Sequence, residues 1–236
     1  MRRRDFDGLE GKLSIEDDLL VALAARGQLR AKRYDGFFID IGIPESYSAA
    51  QIAIPKRLSR PALFLDRDGV LNHDDGYVGS FERLRWIDGA IDLVKLANDL
   101  GFFVFVVTNQ AGVGRGFYYE GDVALLHEQM ACIMRDAGAS VDDWRYCPFH
   151  PDAAIDAYRR EHPWRKPNPG MLLDLMEKWP VVRGSSLMVG DMPKDLSAAA
   201  AAGIDAIHFN GGNLFDAIAP DLRRRWKAFG DGALAQ

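Results

Sequence analysis

A chain of 236 residues, 48% of them hydrophobic, is long enough to bury a sizeable core and suits one domain with an appendage. Its formal net charge of -5 provides no basic field for nucleic acid or an anionic membrane, and no run approaches the ~18 consecutive apolar residues of a membrane span. No apolar stretch follows Arg2-Arg3-Arg4 to make a signal peptide, and two cysteines, Cys132 and Cys147, suit a reduced, cytoplasmic protein better than a disulfide framework.

Residues 1–60 read apart from the rest. In SIEDDLLVALAARGQL, Ser14 is placed to cap an amphipathic helix carrying Leu19, Leu20 and Leu23 at helical spacing. YDGFFIDIGIPESYSAAQIAI predicts a short apolar strand, a Gly-Ile-Pro turn and a second helix from Pro44 or Glu45. PKRLSRP, Pro55 to Pro61, reads as a linker.

From residue 61 to 236, strand and helix patterns alternate. ALFLD is a strand, and DGAIDLVKLANDLG a helix ending at Gly101, a residue suited to the left-handed C-terminal position. FFVFVVTN is a continuous apolar strand, as expected when a parallel sheet buries both faces. A glycine-rich loop, the helix GDVALLHEQMACIMRDAG and the strand WRYC follow, then a long loop over 148–168. NPGMLLDLMEKW restarts a helix with Asn168 as N-cap and Pro169 at its first position. SLMVGD is a strand, PKDLSAAAAAG a helix and IDAIHFN a strand. This alternation predicts an α/β, Rossmann-like parallel sheet with helices on both faces, a minimal cap and a short N-terminal helical extension.

In such a sheet, ligands gather at the carboxyl ends of the strands. One strand ends in Asp66 and Asp68, another in Thr108-Asn109, and a later one in Gly190-Asp191 with Asp195 close behind; Lys166 stands apart in RKPNPGM. Two carboxylates as close as Asp66 and Asp68 resist joint ionisation unless a cation or partner holds them, so they mark a metal site or a solvated turn. Carboxylates fit a hard cation with oxygen ligands, and a lysine and a hydroxyl beside them fit an anion. Together they are the set needed to handle a phosphoryl group bridged to Mg²⁺.

The order and form of these pieces resemble the haloacid dehalogenase superfamily of phosphatases: FLDRDGV its first motif, VVTN its second, Lys166 its third and MVGDMPKD its fourth. LDRDGVLNHDDGYV, TNQAGVGRG, YCPFHPD and RKPNPGML are similar to its heptose-bisphosphate phosphatases and the related histidinol-phosphatase domain, with Gly76 to Val78 leaning toward the heptose branch. That branch removes the C7 phosphate of D-glycero-D-manno-heptose 1,7-bisphosphate on the route to nucleotide-activated heptose. The resemblance implies that Asp66 is the nucleophile, forming an aspartyl-phosphate, and Asp68 the general acid and then base. Mg²⁺ would be held by Asp66, the main-chain carbonyl of Asp68 and Asp191. Thr108, Asn109 and Lys166 would cradle the transferring oxygens, and Arg165, with Arg115 as a further candidate, would meet the second phosphate or hydroxyls of a small phosphorylated sugar. Asp195 would support a metal-bound water or orient Lys166.

Plainer roles exist for these residues. Asp66-Asp68 and Thr108-Asn109 are also turn chemistry, Lys166 and Arg165 also surface charges, and Asp195 also a first-turn helix acid. AGVGRG does not have the spacing of a dinucleotide fingerprint and reads as a flexible loop over the substrate. Many relatives bind a structural zinc through C-x-H and C-x-C in the long loop. Here Cys147 is present, but Phe149, His162 and Trp164 take the other positions, so zinc is expected to be absent, even counting Cys147, His150 and His162 as ligands. Cys147 is then a small buried apolar residue. GFFIDIGIPESYSAAQ resembles the closing segment of sugar-1-phosphate nucleotidyltransferases, in which the residue matching Asp40 helps bind a metal. The glycine-rich start of that family is absent, so the segment implies a link to activated sugars without transferase activity, as a docking helix or a partly disordered extension.

Overall fold

The computed structural model describes residues 14–34 and 37–233. The chain divides into two units, residues 1–50 and 51–236.

In the first unit, Ser14 Oγ accepts the Asp17 N–H at 3.1 Å and caps a π-helical turn, Ile15–Leu20, that continues as helix α1 (Val21–Ala25). Leu19 and Leu23, four residues apart and so on one helical face, are buried. Residues 37–41 form no strand, contrary to expectation; Asp40 Oδ1 accepts the Gly42 N–H at 2.9 Å, a side-chain turn that competes with strand pairing. Asp35 and Gly36, in the same expected strand, lie outside the described residues, as does Arg2-Arg3-Arg4. Helix α2 (Pro44–Leu58) starts at Pro44. It also runs through Pro55, so the expected linker begins only at Ser59. Ser59 Oγ donates to the Pro55 carbonyl at 2.9 Å, and Lys56 and Arg57 suit the negative end of the helix dipole.

The second unit is built on strand β1 (Ala62–Leu65), whose side chains alternate between two cores. Beside it lie β2 (Phe103–Asn109), β3 (Asp143–Cys147), β4 (Leu187–Gly190) and β5 (Asp205–His208). The sheet is wholly parallel in the order β3-β2-β1-β4-β5, with Leu63 opposite Val104 on one side and Leu187 on the other. Leu63, Leu65, Val104 and Val106 face helices α3 (Ala90–Leu100), α5 (Glu120–Asp136) and α8 (Leu214–Ala233) through Val94, Met130 and Ile218. Ala62, Phe64, Phe105 and Val107 face α6 (Gly170–Lys178) and α7 (Pro193–Ala202) through Leu172, Leu175 and Ala199. Helices therefore cover both faces, as the alternating pattern predicts. Burying both faces is what allows every residue of β1 to be apolar.

Two local expectations are corrected. The glycine-rich stretch after β2 is a short helix, α4 (Ala111–Arg115), closed by Gly116 at φ 78°. Its glycines provide room rather than flexibility: a Cβ on Gly112 would fall 2.4 Å from the Tyr118 ring. Helix α6 begins at Gly170 with Pro169 in the cap position, and Asn168 Nδ2 donates instead to the His162 carbonyl at 3.1 Å. Helix α8, 20 residues long, also runs through a proline, Pro220.

Between β1 and α3 the only regular element is the turn Phe81–Arg83, and between β3 and α6 only the turn Asp156–Tyr158. Loops, with no inserted domain, border the carboxyl edge of the sheet.

Candidate active site

The order of the sheet reverses between β1 and β4, and at such a switch the following loops part to leave a crevice. Asp66 leaves β1 there, with its N–H on the Val189 carbonyl at 3.0 Å, and Asp191 leaves β4 beside it. Gly69, at φ 86°, lets the chain turn against Asp191; a Cβ there would lie 2.2 Å from Asp191 Oδ2. Lys166 reaches the crevice from the long loop. Its ammonium lies 2.9 Å from Asp66 Oδ2 and 2.7 Å from Asp195 Oδ1, and donates to the Val107 carbonyl at 2.8 Å. All three side chains are buried.

Burial dominates the electrostatics. It pushes the Asp66 carboxyl up to about 7, with Lys166 pulling it down and Asp195 pushing it further up. Burial also acts to lower Lys166, but Asp66 and Asp195 outweigh it and hold the ammonium above its ordinary value. The Asp191 carboxyl is likewise raised by burial, with Asp195 adding to the effect. Asp195 is therefore committed to Lys166, and its other oxygen accepts the Met192 N–H at 3.0 Å.

Asp68 is held by a residue not legible as a site residue in the sequence. Arg67, fully buried, sends Nη2 to both Asp68 oxygens at 2.9 Å and Nε to Oδ1 at 3.2 Å. Its guanidinium also contacts His127 Nε2 at 3.4 Å. The neighbouring carboxylates are thus separated, Asp66 facing Lys166 and Asp68 facing Arg67. A charged residue inside a buried apolar run was the available signal.

Thr108 is buried at the end of β2, and its Oγ1 accepts from Gln110 Nε2 at 2.9 Å. Asn109 stands at the crevice, but its side-chain amide is spent on the Lys166 backbone: Nδ2 donates to Lys166 O at 3.0 Å and Oδ1 accepts Lys166 N–H at 3.1 Å. Its observed role is to fix the lysine segment. Gln110 and Tyr118 also belong to the site, again without a sequence signal.

The crevice holds about 360 Å³. Asp66, Asp68, Thr108 and Asp191 line it together with Arg115, Arg165 and His150. Arg165 Nη1 donates to the Phe149 carbonyl at 3.1 Å, and burial lowers its pKa from the ordinary value with Arg115 adding to the effect. The Arg115 guanidinium lies 5.8 Å from the Tyr77 ring, and its buried Nε has no partner. Cys147, the last residue of β3, is fully buried; in the long loop, Phe149 stacks on His162 at 4.4 Å with Arg160 on its ring, and His162 Nδ1 accepts the Trp164 N–H.

Ligand oxygens of Asp66, Asp191 and Asp195 lie within 4.8 Å of one another. Asp66 and Asp191 line the crevice whereas Asp195 is fully buried, so the pair open to a cation there is Asp66 and Asp191, both raised by burial among neighbouring carboxylates. This is a hard, anionic oxygen set that fits Mg²⁺.

The HAD-hydrolase-like family matches residues 163–222. The D-glycero-beta-D-manno-heptose-1,7-bisphosphate 7-phosphatase of Rhodopseudomonas palustris is 49% identical over 64% of this chain and 84% of its own length. The D-glycero-alpha-D-manno-heptose-1,7-bisphosphate 7-phosphatase of Burkholderia mallei is 46% identical over 61% of this chain and 76% of its own. Among solved structures, the D,D-heptose 1,7-bisphosphate phosphatase from B. bronchiseptica, complexed with magnesium and phosphate, superposes with a TM-score of 0.59 at 30% identity. That match covers 68% of this chain and 87% of the other.

Proposed function

We propose that this chain, which belongs to the haloacid dehalogenase-like phosphatases in the branch of the heptose-1,7-bisphosphate 7-phosphatases, hydrolyses the C7 phosphate of D-glycero-D-manno-heptose 1,7-bisphosphate. The observation that carries the reading is the meeting of Asp66, Asp191 and buried Lys166 at one crevice floor.

A carboxylate oxygen of Asp66 attacks phosphorus, the ester P–O bond breaks, and Asp68 gives its proton to the departing sugar oxygen. Asp68, now a carboxylate, takes a proton from the water that attacks the aspartyl-phosphate. Inorganic phosphate leaves and Asp66 is restored. Lys166 and the Thr108 hydroxyl face the transferring oxygens, where fixed donors act most strongly. Mg²⁺, held by Asp66, Asp191 and the Asp68 carbonyl, would neutralise charge between the anionic nucleophile and the phosphate. Arg165 and Arg115, with His150 beside them at the rim, would take the second phosphate of the sugar.

Zinc has no part in this reading: His162 is engaged by Phe149 and Trp164, and Cys147 lies in the core. We read residues 1–60 as an extension without transferase activity, since the Asp40 carboxylate closes its own turn. The protein then works in the cytoplasm on a small sugar phosphate, with neither nucleic acid nor membrane as partner.

Phosphate release with Mg²⁺ tests the substrate, comparing both anomers of the heptose bisphosphate with fructose 1,6-bisphosphate and histidinol phosphate. A clear preference in kcat/KM for a heptose anomer is expected. Indifference among the four substrates would remove the heptose assignment and leave a general phosphatase.

A further inference from the structure

Gln110 is 1% exposed, and its one amide touches three polar groups. Nε2 donates to Asp68 Oδ2 at 2.9 Å and to Thr108 Oγ1 at 2.9 Å. Oε1 accepts from the Tyr118 hydroxyl at 2.7 Å. The Gln110 main chain is pinned separately, its N–H on the Cys147 carbonyl at 2.8 Å. Tyr118 is seated in a slot that two glycines keep open: a Cβ on Gly79 would fall 2.3 Å from its ring, and one on Gly112 2.4 Å.

The contact with Asp68 favours one orientation of the amide. A flipped Gln110 would set Oε1 against Asp68 Oδ2, two acceptors facing each other whenever Asp68 is ionised. In the observed orientation both amide protons are used, one on the proton-transfer carboxylate and one on the phosphate-holding hydroxyl. Thr108 Oγ1 accepts that bond, so its own proton is left to point into the crevice, where a phosphoryl oxygen would receive it.

We propose that Gln110, oriented by Tyr118, is a positioning residue that aims the Thr108 hydroxyl at the transferring phosphoryl group and fixes Asp68 for proton transfer. This rests on the phosphatase reading above and assigns part of its machinery to residues outside the four motifs.

The test compares Gln110→Glu, Gln110→Leu, Tyr118→Phe and the double variant Gln110→Leu/Tyr118→Phe with the unmodified protein. Steady-state kinetics on heptose bisphosphate are read beside thermal unfolding and circular dichroism. Gln110→Glu keeps the shape but brings a carboxylate to Asp68, so kcat should fall about 100-fold with KM little changed, and Gln110→Leu about 10-fold. Tyr118→Phe should lower kcat about threefold to tenfold, and should add nothing in the Gln110→Leu background, since the hydroxyl acts through the amide. A role in packing alone predicts the reverse order, with Glu benign, and independent effects of the two positions. Folded variants with kcat within twofold of the unmodified protein, or independent effects, overturn the positioning role while leaving the phosphatase reading intact. An unmodified protein that releases no phosphate from any of the four substrates overturns both.

Discussion

Lys166 Nζ lies 2.7 Å from Asp195 Oδ1, and neither side chain has any exposure to solvent. The lysine also lies 2.9 Å from Asp66, the proposed nucleophile, so Asp195 helps set where this buried cation sits between two anions. Removing one partner of a buried pair leaves the other charge uncompensated. Asp195→Asn should therefore destabilise the fold by about 3–5 kcal/mol, and Lys166→Met by a similar amount because two carboxylates are stranded. Urea unfolding at neutral pH measures both, and a loss under 1 kcal/mol for either would show the triad to be dispensable.

Asp66→Asn removes the proposed nucleophile but keeps its size and its contact with Arg67 N–H. Turnover should fall by at least about 10³-fold while the protein stays folded. Acid-quenched protein should carry acyl-phosphate in the unmodified chain and none in the variant. Retained turnover would place the covalent step elsewhere.

Chelation should stop phosphate release and added Mg²⁺ restore it. Asp191→Asn should raise the Mg²⁺ concentration for half-maximal rate by about tenfold or more. Magnesium-induced stabilisation in a thermal shift assay should shrink in the same variant, independently of catalysis. An unchanged magnesium requirement would dismiss Asp191 as a ligand.

Gly69→Ala meets two obstacles, a left-handed backbone at φ 86° and the Asp191 carboxylate at 2.2 Å from the new Cβ. The backbone alone should cost about 1–2 kcal/mol, and the displaced carboxylate should weaken the response to Mg²⁺ as well. Gly211→Ala, at φ 93° with nothing near the new Cβ, should show the stability loss without the magnesium effect.

His127 is stacked on Trp144 at 4.5 Å, and burial, with Arg67 alongside, lowers its pKa from 6.5 to about 3. The folded protein refuses the proton that the unfolded chain accepts, so unfolding takes up a proton between those values. Its contribution to stability is complete above pH 6.5 and is lost as pH falls toward 3. His127→Gln should flatten that part of the stability–pH curve, as read from urea midpoints at pH 7 and 4.5. Parallel curves would mean that His127 does not titrate in this range on unfolding.

The legible parts of the site share one property: their spacing along the chain is the spacing the fold uses. Asp66 and Asp68 follow a four-residue apolar run, and Asp191 follows another, so strand periodicity alone puts them on one edge. Asn109 shows the limit, since a strand-end position says nothing about which group its amide will meet. Gln110 and Tyr118 are ordinary polar and aromatic residues in sequence, and they become site residues only because α4 folds back beneath the tyrosine. Gly112 and Gly114 suggested a mobile loop because glycine's freedom is visible in sequence, whereas the neighbour that requires its missing Cβ is not.

The sequence by itself determined the alternation of strands and helices, the sheet they form and the residues able to carry phosphoryl chemistry. Those depend on local periodicity and residue type. Only the tertiary structure decided the remaining partners: Arg67 for Asp68, Gln110 bridging Asp68 to Thr108, and, of the two roles open to Asp195, the contact with Lys166. The reason is physical. Coulomb and hydrogen-bond energies act over a few ångströms in space, and contacts such as that of Lys166 with Asp66 join residues far apart along the chain.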